Sequence, residues 1–147
     1  MDDRVQEILT IGRKKTEHLH TKLRQIQLAN VAELSSIEDK ITGFDACFFC
    51  LGVSSAGMKE DDYRRVTYDI ALSAGTTLAR LNPQMTFVYV SGSGTDSSEK
   101  GRSMWARVKG KTEYDLLNLP FKDAYMFRPG VILPLNGIQS KTQNRKQ

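Results

Sequence analysis

The stretches FDACFFCLG at residues 44–52 and MTFVYVSGSG at residues 85–94 decide the fold. Each opens with a nearly continuous apolar run, from Phe44 to Leu51 and from Met85 to Val90, and each is followed by a glycine, Gly52 at once and Gly92 after Ser91. Strict alternation of apolar and polar residues would mark strands with one face in water. Unbroken runs mark strands buried on both faces, which predicts a parallel sheet sandwiched between helices. Working outward, Val5 to Ile11, Gln25 to Val31 and Ala124 to Phe127 read as three further strands, the last closed by Pro129-Gly130.

Helical spacing fills the intervals. Tyr63, Val66, Ile70, Ala74 and Leu78 recur three and four residues apart between Asp61 and Leu81, and Asn82-Pro83 ends the run. The acidic Glu60-Asp61-Asp62 at its start suits the positive end of a helix dipole. A second helix is predicted from about Ser103 to Leu117, and a short one from Ser36, with Ile37 and Ile41 inward and Gly43 as its stop. Alternation of strand and helix predicts an open α/β sheet. Ligands of such sheets lie beyond the carboxyl ends of the strands. That rule singles out Gly12-Arg13-Lys14, Gly52-Val53-Ser54, Ser91-Gly92-Ser93-Gly94 and Arg128-Pro129-Gly130 as one shared edge.

A chain of 147 residues fits one domain, read here as residues 1–138 followed by a polar, basic tail at 139–147 that is expected to be disordered. At 39% hydrophobic and 26% charged residues, the composition is globular. No apolar run approaches the ~20 residues of a membrane span, and Met1-Asp2-Asp3-Arg4 lacks the layout of a signal peptide. The expectation is a cytoplasmic protein without membrane contact. Twenty-one basic against 17 acidic residues give 21 − 17 = +4, partly local to Arg13-Lys14-Lys15 and the tail. No aromatic-interleaved basic stripe accompanies the excess, so nucleic acid is the least favoured partner.

Several residues could carry chemistry. Cys47 and Cys50 have redox-pair spacing, but residues three apart on a strand point to opposite faces, so packing thiols in a reducing compartment are expected. His18 and His20 lie in a polar connection without a converging carboxylate, and no metal site is predicted. The Ser91–Gly94 turn looks like a phosphate cradle, yet no P-loop lysine follows in register. Trp105, Lys109 and Thr112 share one helix face, which offers either core packing beside a surface cation or a lysine turned to ribose hydroxyls next to Ser91.

Taken in order, these features resemble a known family. A strand ends in Gly12-Arg13, another in Cys50-Leu51-Gly52, and a helix carries Arg65-Val66-Thr67-Tyr68-Asp69. A strand then ends in Val90-Ser91, a helix carries Lys109, and a strand runs into Arg128-Pro129-Gly130-Val131. The chain is similar over about Val5 to Ile138 to the short-chain dehydrogenase/reductase superfamily, and most to its atypical or extended, nucleotide-sugar-epimerase-like branch. The resemblance implies a Rossmann-like parallel sheet flanked by helices and a dinucleotide cofactor. It puts Gly12, Arg13 and Lys14 at the 2′-phosphate, favouring NADP over NAD, and Gly52 and Val53 beside the adenine ribose. It puts Thr67 where relatives often have asparagine. Ser91 becomes the substrate-orienting serine, Lys109 the lysine of the Tyr-x-x-x-Lys pair, and Pro129, Gly130 and Val131 the segment along the nicotinamide.

Three departures qualify what the resemblance implies. Trp105 stands in the position of the catalytic tyrosine, and an indole N–H is no usable acid near neutral pH. Asn30 replaces a common acidic residue near the adenine. The chain also reads as truncated at both ends: the first βα unit, with the Gly-rich turn whose amides hold the pyrophosphate, has no counterpart before Val5. The family order places that strand mid-sheet, so the strands at Val5 and Phe44 must pair directly, leave a gap or recruit a partner. Weak cofactor binding, impaired turnover of an unknown small substrate and homo-oligomerisation through bare edges are expected. The alternative is a non-catalytic interaction or regulatory protein that uses the scaffold to oligomerise.

Overall fold

The computed structural model describes residues 2–133 and Leu135; the predicted disordered tail at 139–147 lies outside the described residues. Among the described residues five strands form: β1 (Ile8–Gly12), β2 (Leu23–Gln27), β3 (Ala46–Phe49), β4 (Thr86–Val90) and β5 (Asp123–Phe127). All pairings are parallel, but they fall into two sheets, β1-β2 and β3-β4-β5. The helical elements are a 3₁₀ turn (Ser35–Lys40), α1 (Glu60–Arg64), a π turn (Arg65–Asp69), α2 (Ile70–Leu81) and α3 (Met104–Leu117). The predicted α/β class therefore holds, with every predicted strand present within a few residues of its expected bounds. No described strand joins β1 to β3, so of the three ways to accommodate the junction the described residues take the unpaired one.

Strand β4 is central because its sequence can bury both faces: Phe87, Val88 and Tyr89 are all buried. Its core side, with Phe87 and Tyr89, stacks beside Phe49 and Phe121. Helix α2 contributes Ala71, Ala74 and Leu78 to this core, and α3 contributes Leu116. Leu9, Ile11, Ile26 and Leu28 of the two-stranded sheet and its flanks pack on the same cluster. Apolar contact, rather than a ladder of hydrogen bonds, thus connects the two sheets.

The opposite face of the three-stranded sheet differs from expectation. Phe48 is 69% exposed, Tyr125 53% and Phe127 56%, although Phe48, Val88 and Tyr125 lie side by side in register. The run at Phe44 to Leu51 is therefore buried on its core face only. The reason is positional: β3 is an edge strand here, and α2 and α3 both pack on the Phe49–Phe87–Tyr89 face. Between the helices, the Tyr68 hydroxyl donates to Asp115, which also accepts from Lys111 Nζ at 2.7 and 2.8 Å.

Helix α3 approaches the loop after β4 so closely that only glycine fits at position 110. A methyl group there would stand 1.9 Å from the carbonyl oxygen and 2.6 Å from the carbonyl carbon of Asp96, both backbone atoms. At Gly52 an added methyl meets nothing within 4 Å. Gly110→Ala is expected to lower unfolding free energy by about 2–3 kcal/mol, whereas Gly52→Ala stays within about 0.5 kcal/mol of the parent. Urea denaturation of the two variants checks both values.

Candidate functional site

Parallel pairing brings three of the four predicted segments to one edge. The turn after β4 is sewn to the chain after β5: Ser91 N–H donates to Phe127 O at 2.7 Å, and Ser93 N–H donates to Pro129 O at 3.0 Å. Gly52 and Val53 follow β3 at the same end and are exposed. Gly12, Arg13 and Lys14 instead end β1 in the other sheet, with both side chains in solvent. No described hydrogen bond or ion pair links Arg13 or Lys14 to the edge of the three-stranded sheet.

The turn itself is tightly specified. Gly94 sits at φ +86°, a left-handed conformation that favours glycine, and Trp105 packs 3.7 Å from the Cβ position of Gly92 and 3.5 Å from that of Gly94. The position resembling a catalytic tyrosine is therefore a packing residue under the turn. Thr95 Oγ1 donates to Gly92 O at 2.7 Å, so the proton in its 3.1 Å contact with Ser91 Oγ comes from Ser91. Ser91 is buried, and in this arrangement it offers a ligand an acceptor while its own proton stays inside.

Lys109, one turn beyond Trp105 on α3, is half-buried with Nζ 5.5 Å from the centre of the Tyr89 ring. Among the described residues no carboxylate forms a salt bridge with it. Burial pulls its ammonium below the ordinary lysine range, and Glu113 opposes that shift. Burial, then the neighbouring Tyr63 and Glu113, push the Tyr89 phenol well above its usual value, so it stays neutral. Thr112 is buried and donates to Val108 O at 2.7 Å. Thr67 is also buried, inside the π turn, with an unpartnered Oγ1.

Glu113 and Arg128 emerge as the edge's principal ion pair, which spacing alone did not reveal. Glu113 is 4% exposed, and Arg128 Nε reaches its two carboxylate oxygens at 3.0 and 3.2 Å while Nη2 bonds both it and Ser97 Oγ, the latter at 2.8 Å. The signal was present in the sequence as a glutamate four residues after Lys109, followed by a basic residue at a strand end.

The cysteine expectation needs correction. Cys47 does face the core, and burial, followed by the proximity of Cys50, pushes its thiol up to about 12. Cys50, just past the end of β3, is exposed rather than packed. His18 and His20 are exposed, as expected, and among the described residues no cluster of three or more His, Cys, Asp or Glu side chains could hold a metal ion. No described helix is long and apolar enough to cross a membrane.

Asp96 organises the loop that leads to α3. Its carboxylate accepts from Ser98 Oγ at 2.6 Å, Ser98 N at 2.9 Å and Gly101 N at 2.7 Å. These bonds, led by the Ser98 side chain, hold its pKa below the usual 3.8. A depressed folded-state pKa stabilises above the unfolded value and is lost as pH falls through the folded one. Asp96→Asn is accordingly expected to be less stable than the parent at neutral pH and to lose less stability on acidification below about pH 4, as measured by thermal melts across that window.

No protein-family model matches the chain. Among curated proteins it is 32% identical over 129 residues to Protein FMP52-2, mitochondrial, of Scheffersomyces stipitis, covering 86% of this chain and 55% of that protein. It is 29% identical over 129 residues to Protein HTATIP2 of Rattus norvegicus, covering 86% and 52%, and 25% identical to Protein FMP52-1, mitochondrial, of Scheffersomyces stipitis, covering 87% and 56%. The chain thus spans about half the length of these relatives. Among solved structures, that titled "Crystal structure of gox2253" matches with a TM-score of 0.55 and 12% identity, covering 84% of this chain and 43% of that one. Common fold and shared sequence together make this chain a Rossmann-like α/β protein and a sequence relative of FMP52 and HTATIP2.

Proposed function

We propose that the chain binds a nicotinamide dinucleotide, NADP in preference to NAD, across the carboxyl ends of its strands, in the manner of short-chain dehydrogenases/reductases. The observation that carries this reading is the bonding of the Ser91–Ser93 turn to Phe127 and Pro129 at the carboxyl ends of a parallel sheet, with Lys109 Nζ 5.5 Å from the ring of Tyr89 in the central strand. Lys109, without a carboxylate partner among the described residues, would hold ribose hydroxyls. Ser91 would accept from substrate or ribose, and Pro129, Gly130 and Val131 would flank the nicotinamide. Gly52 and Val53 leave open room for the adenine ribose. Arg13 and Lys14 would meet the 2′-phosphate. Thr67 enters this set only if the π turn opens, because it is buried.

The fit is uneven. The edge supplies an acceptor for the ribose half, but the Gly92–Gly94 turn packs on Trp105 and α3 begins only at Met104, so this turn presents no helix N-terminus to the diphosphate. Weak binding is accordingly part of the proposal. Low turnover belongs to the same proposal, because the Trp105 indole under the glycine turn is no usable acid and burial raises the Tyr89 phenol far above the range in which it could exchange a proton. The substrate would be a small carbonyl or hydroxyl compound in an oxidoreduction or epimerisation. A reducing compartment suits the two free thiols. The cytoplasm meets that condition, and the relative FMP52-2 is named as mitochondrial.

NADPH titration followed by calorimetry tests the reading. A dissociation constant of about 10–500 μM is expected, weakened about tenfold or more by Arg13→Ala and by Lys109→Met, and weaker for NADH than for NADPH. No binding at ~1 mM NADPH would refute it.

One observation favours a second reading, that of an oligomerising interaction protein. β1 and β3 each carry an unpaired edge among the described strands, next to the bare Phe48, Tyr125 and Phe127 face. Phe48→Lys is expected to shift concentrated samples from larger species toward monomer in light-scattering chromatography. A parent chain that stays monomeric at every concentration rules this reading out.

A further inference from the structure

We infer that Arg128 is a positioning residue: by engaging the buried carboxylate of Glu113 it leaves the Lys109 ammonium open toward the strand-end edge. The inference rests on the reading of Lys109 as a ligand-holding cation. Its basis is a competition that the geometry resolves. Glu113 follows Lys109 by four residues on α3, a spacing at which lysine and glutamate side chains reach one another. A carboxylate that is 4% exposed must be paired or pay a large desolvation cost. Two cations compete for it, Lys109 from its own helix and Arg128 from the end of β5.

Arg128 holds the carboxylate. Its Nε lies 3.0 and 3.2 Å from the two oxygens and its Nη2 bonds one of them as well. A planar guanidinium matches a carboxylate through several donors at once, which an ammonium cannot do. The second bond of Nη2, to Ser97 Oγ at 2.8 Å, fixes the guanidinium from the loop after β4. Lys109 is left with the face of Tyr89 at 5.5 Å. The groups facing it are Tyr89 from β4, with Tyr63 of α1 near that phenol, and Glu113 from α3, whose charge Arg128, just past the end of β5, offsets. Without Arg128, the orphaned carboxylate has Lys109, four residues earlier on α3 and already within its field, as a partner, and an ion pair between them would draw the ammonium toward Glu113.

The test reads Lys109 directly. The protein is reductively methylated with ¹³C-formaldehyde, the Lys109 resonance is assigned by its loss in Lys109→Arg, and its titration is followed by NMR. Arg128→Met is expected to raise the Lys109 midpoint by about one pH unit. Arg128→Met combined with Glu113→Gln is expected to return the midpoint to the parent value or below. Arg128→Lys, which keeps a charge but not the fork, should give a smaller rise, and it serves as the measurement should Arg128→Met fail to fold. An unchanged midpoint in the folded Arg128 variant, or a double variant that stays raised, overturns the inference. NADPH titration of the same samples separates the two claims. A Lys109 shift in a protein whose parent binds no NADPH sinks the cofactor reading alone, and NADPH binding without a shift sinks the positioning role alone.

Discussion

The parallel ladder from β3 through β4 to β5 constrains everything else in this chain. Because all three strands run the same way, their carboxyl ends open on one edge, and the segments that follow them have to share it. The direct bonds from Ser91 and Ser93 to Phe127 and Pro129 extend that ladder beyond the strands themselves. A serine, a glycine turn and a proline-glycine corner are thus set side by side by backbone geometry. Side-chain chemistry then only has to be added from one helix, α3, whose close approach depends on the missing side chain of Gly110.

Charge is held at different depths. Arg13 and Lys14, at the end of β1 in the other sheet, are solvated and cost little to keep. Lys109 is half-buried, so its charge is expensive to hold and correspondingly effective toward a ligand that would cover it. Glu113 lies deepest and tolerates its burial only through the guanidinium of Arg128. Glu113 opposes the loss of charge that burial imposes on the Lys109 ammonium. The pair is therefore both a structural tie between α3 and the end of β5 and an electrostatic setting for Lys109.

Much of the fold could be read from residue order. The continuous run at Met85 to Val90 became the buried central strand, and the three-and-four spacing from Tyr63 to Leu78 became one helical rod. The π turn inside that rod left no mark in the periodicity, because one wider turn barely disturbs the order of apolar positions. The run at Phe44 to Leu51 looked like a strand buried on both faces, yet Phe48 is exposed. Periodicity reports what a strand could bury, not which elements are present to cover it. Of the edge, the glycine and serine positions were legible because turns demand particular residues. The Glu113–Arg128 pair was not, since its partners lie 15 residues apart and meet only after α3 folds back over the sheet.

The separation into two sheets bears on the proposed ligand in a specific way. A dinucleotide is long, and on the proposed reading its 2′-phosphate would lie by Arg13 of the two-stranded sheet while its nicotinamide would lie by Ser91 of the three-stranded one. Two half-sites on one continuous sheet have their spacing fixed by hydrogen bonds. Here the spacing depends on Leu9, Ile11, Ile26 and Leu28 packing against the shared core, and apolar contacts carry no directional preference. A ligand that bridges the sheets would have to supply part of that order itself, and the free energy spent in doing so is subtracted from its affinity. Any segment that hydrogen-bonded to the open edges of both β1 and β3 would fix the spacing beforehand. Strand pairing and cofactor affinity would then be linked, each strengthening the other by the same factor.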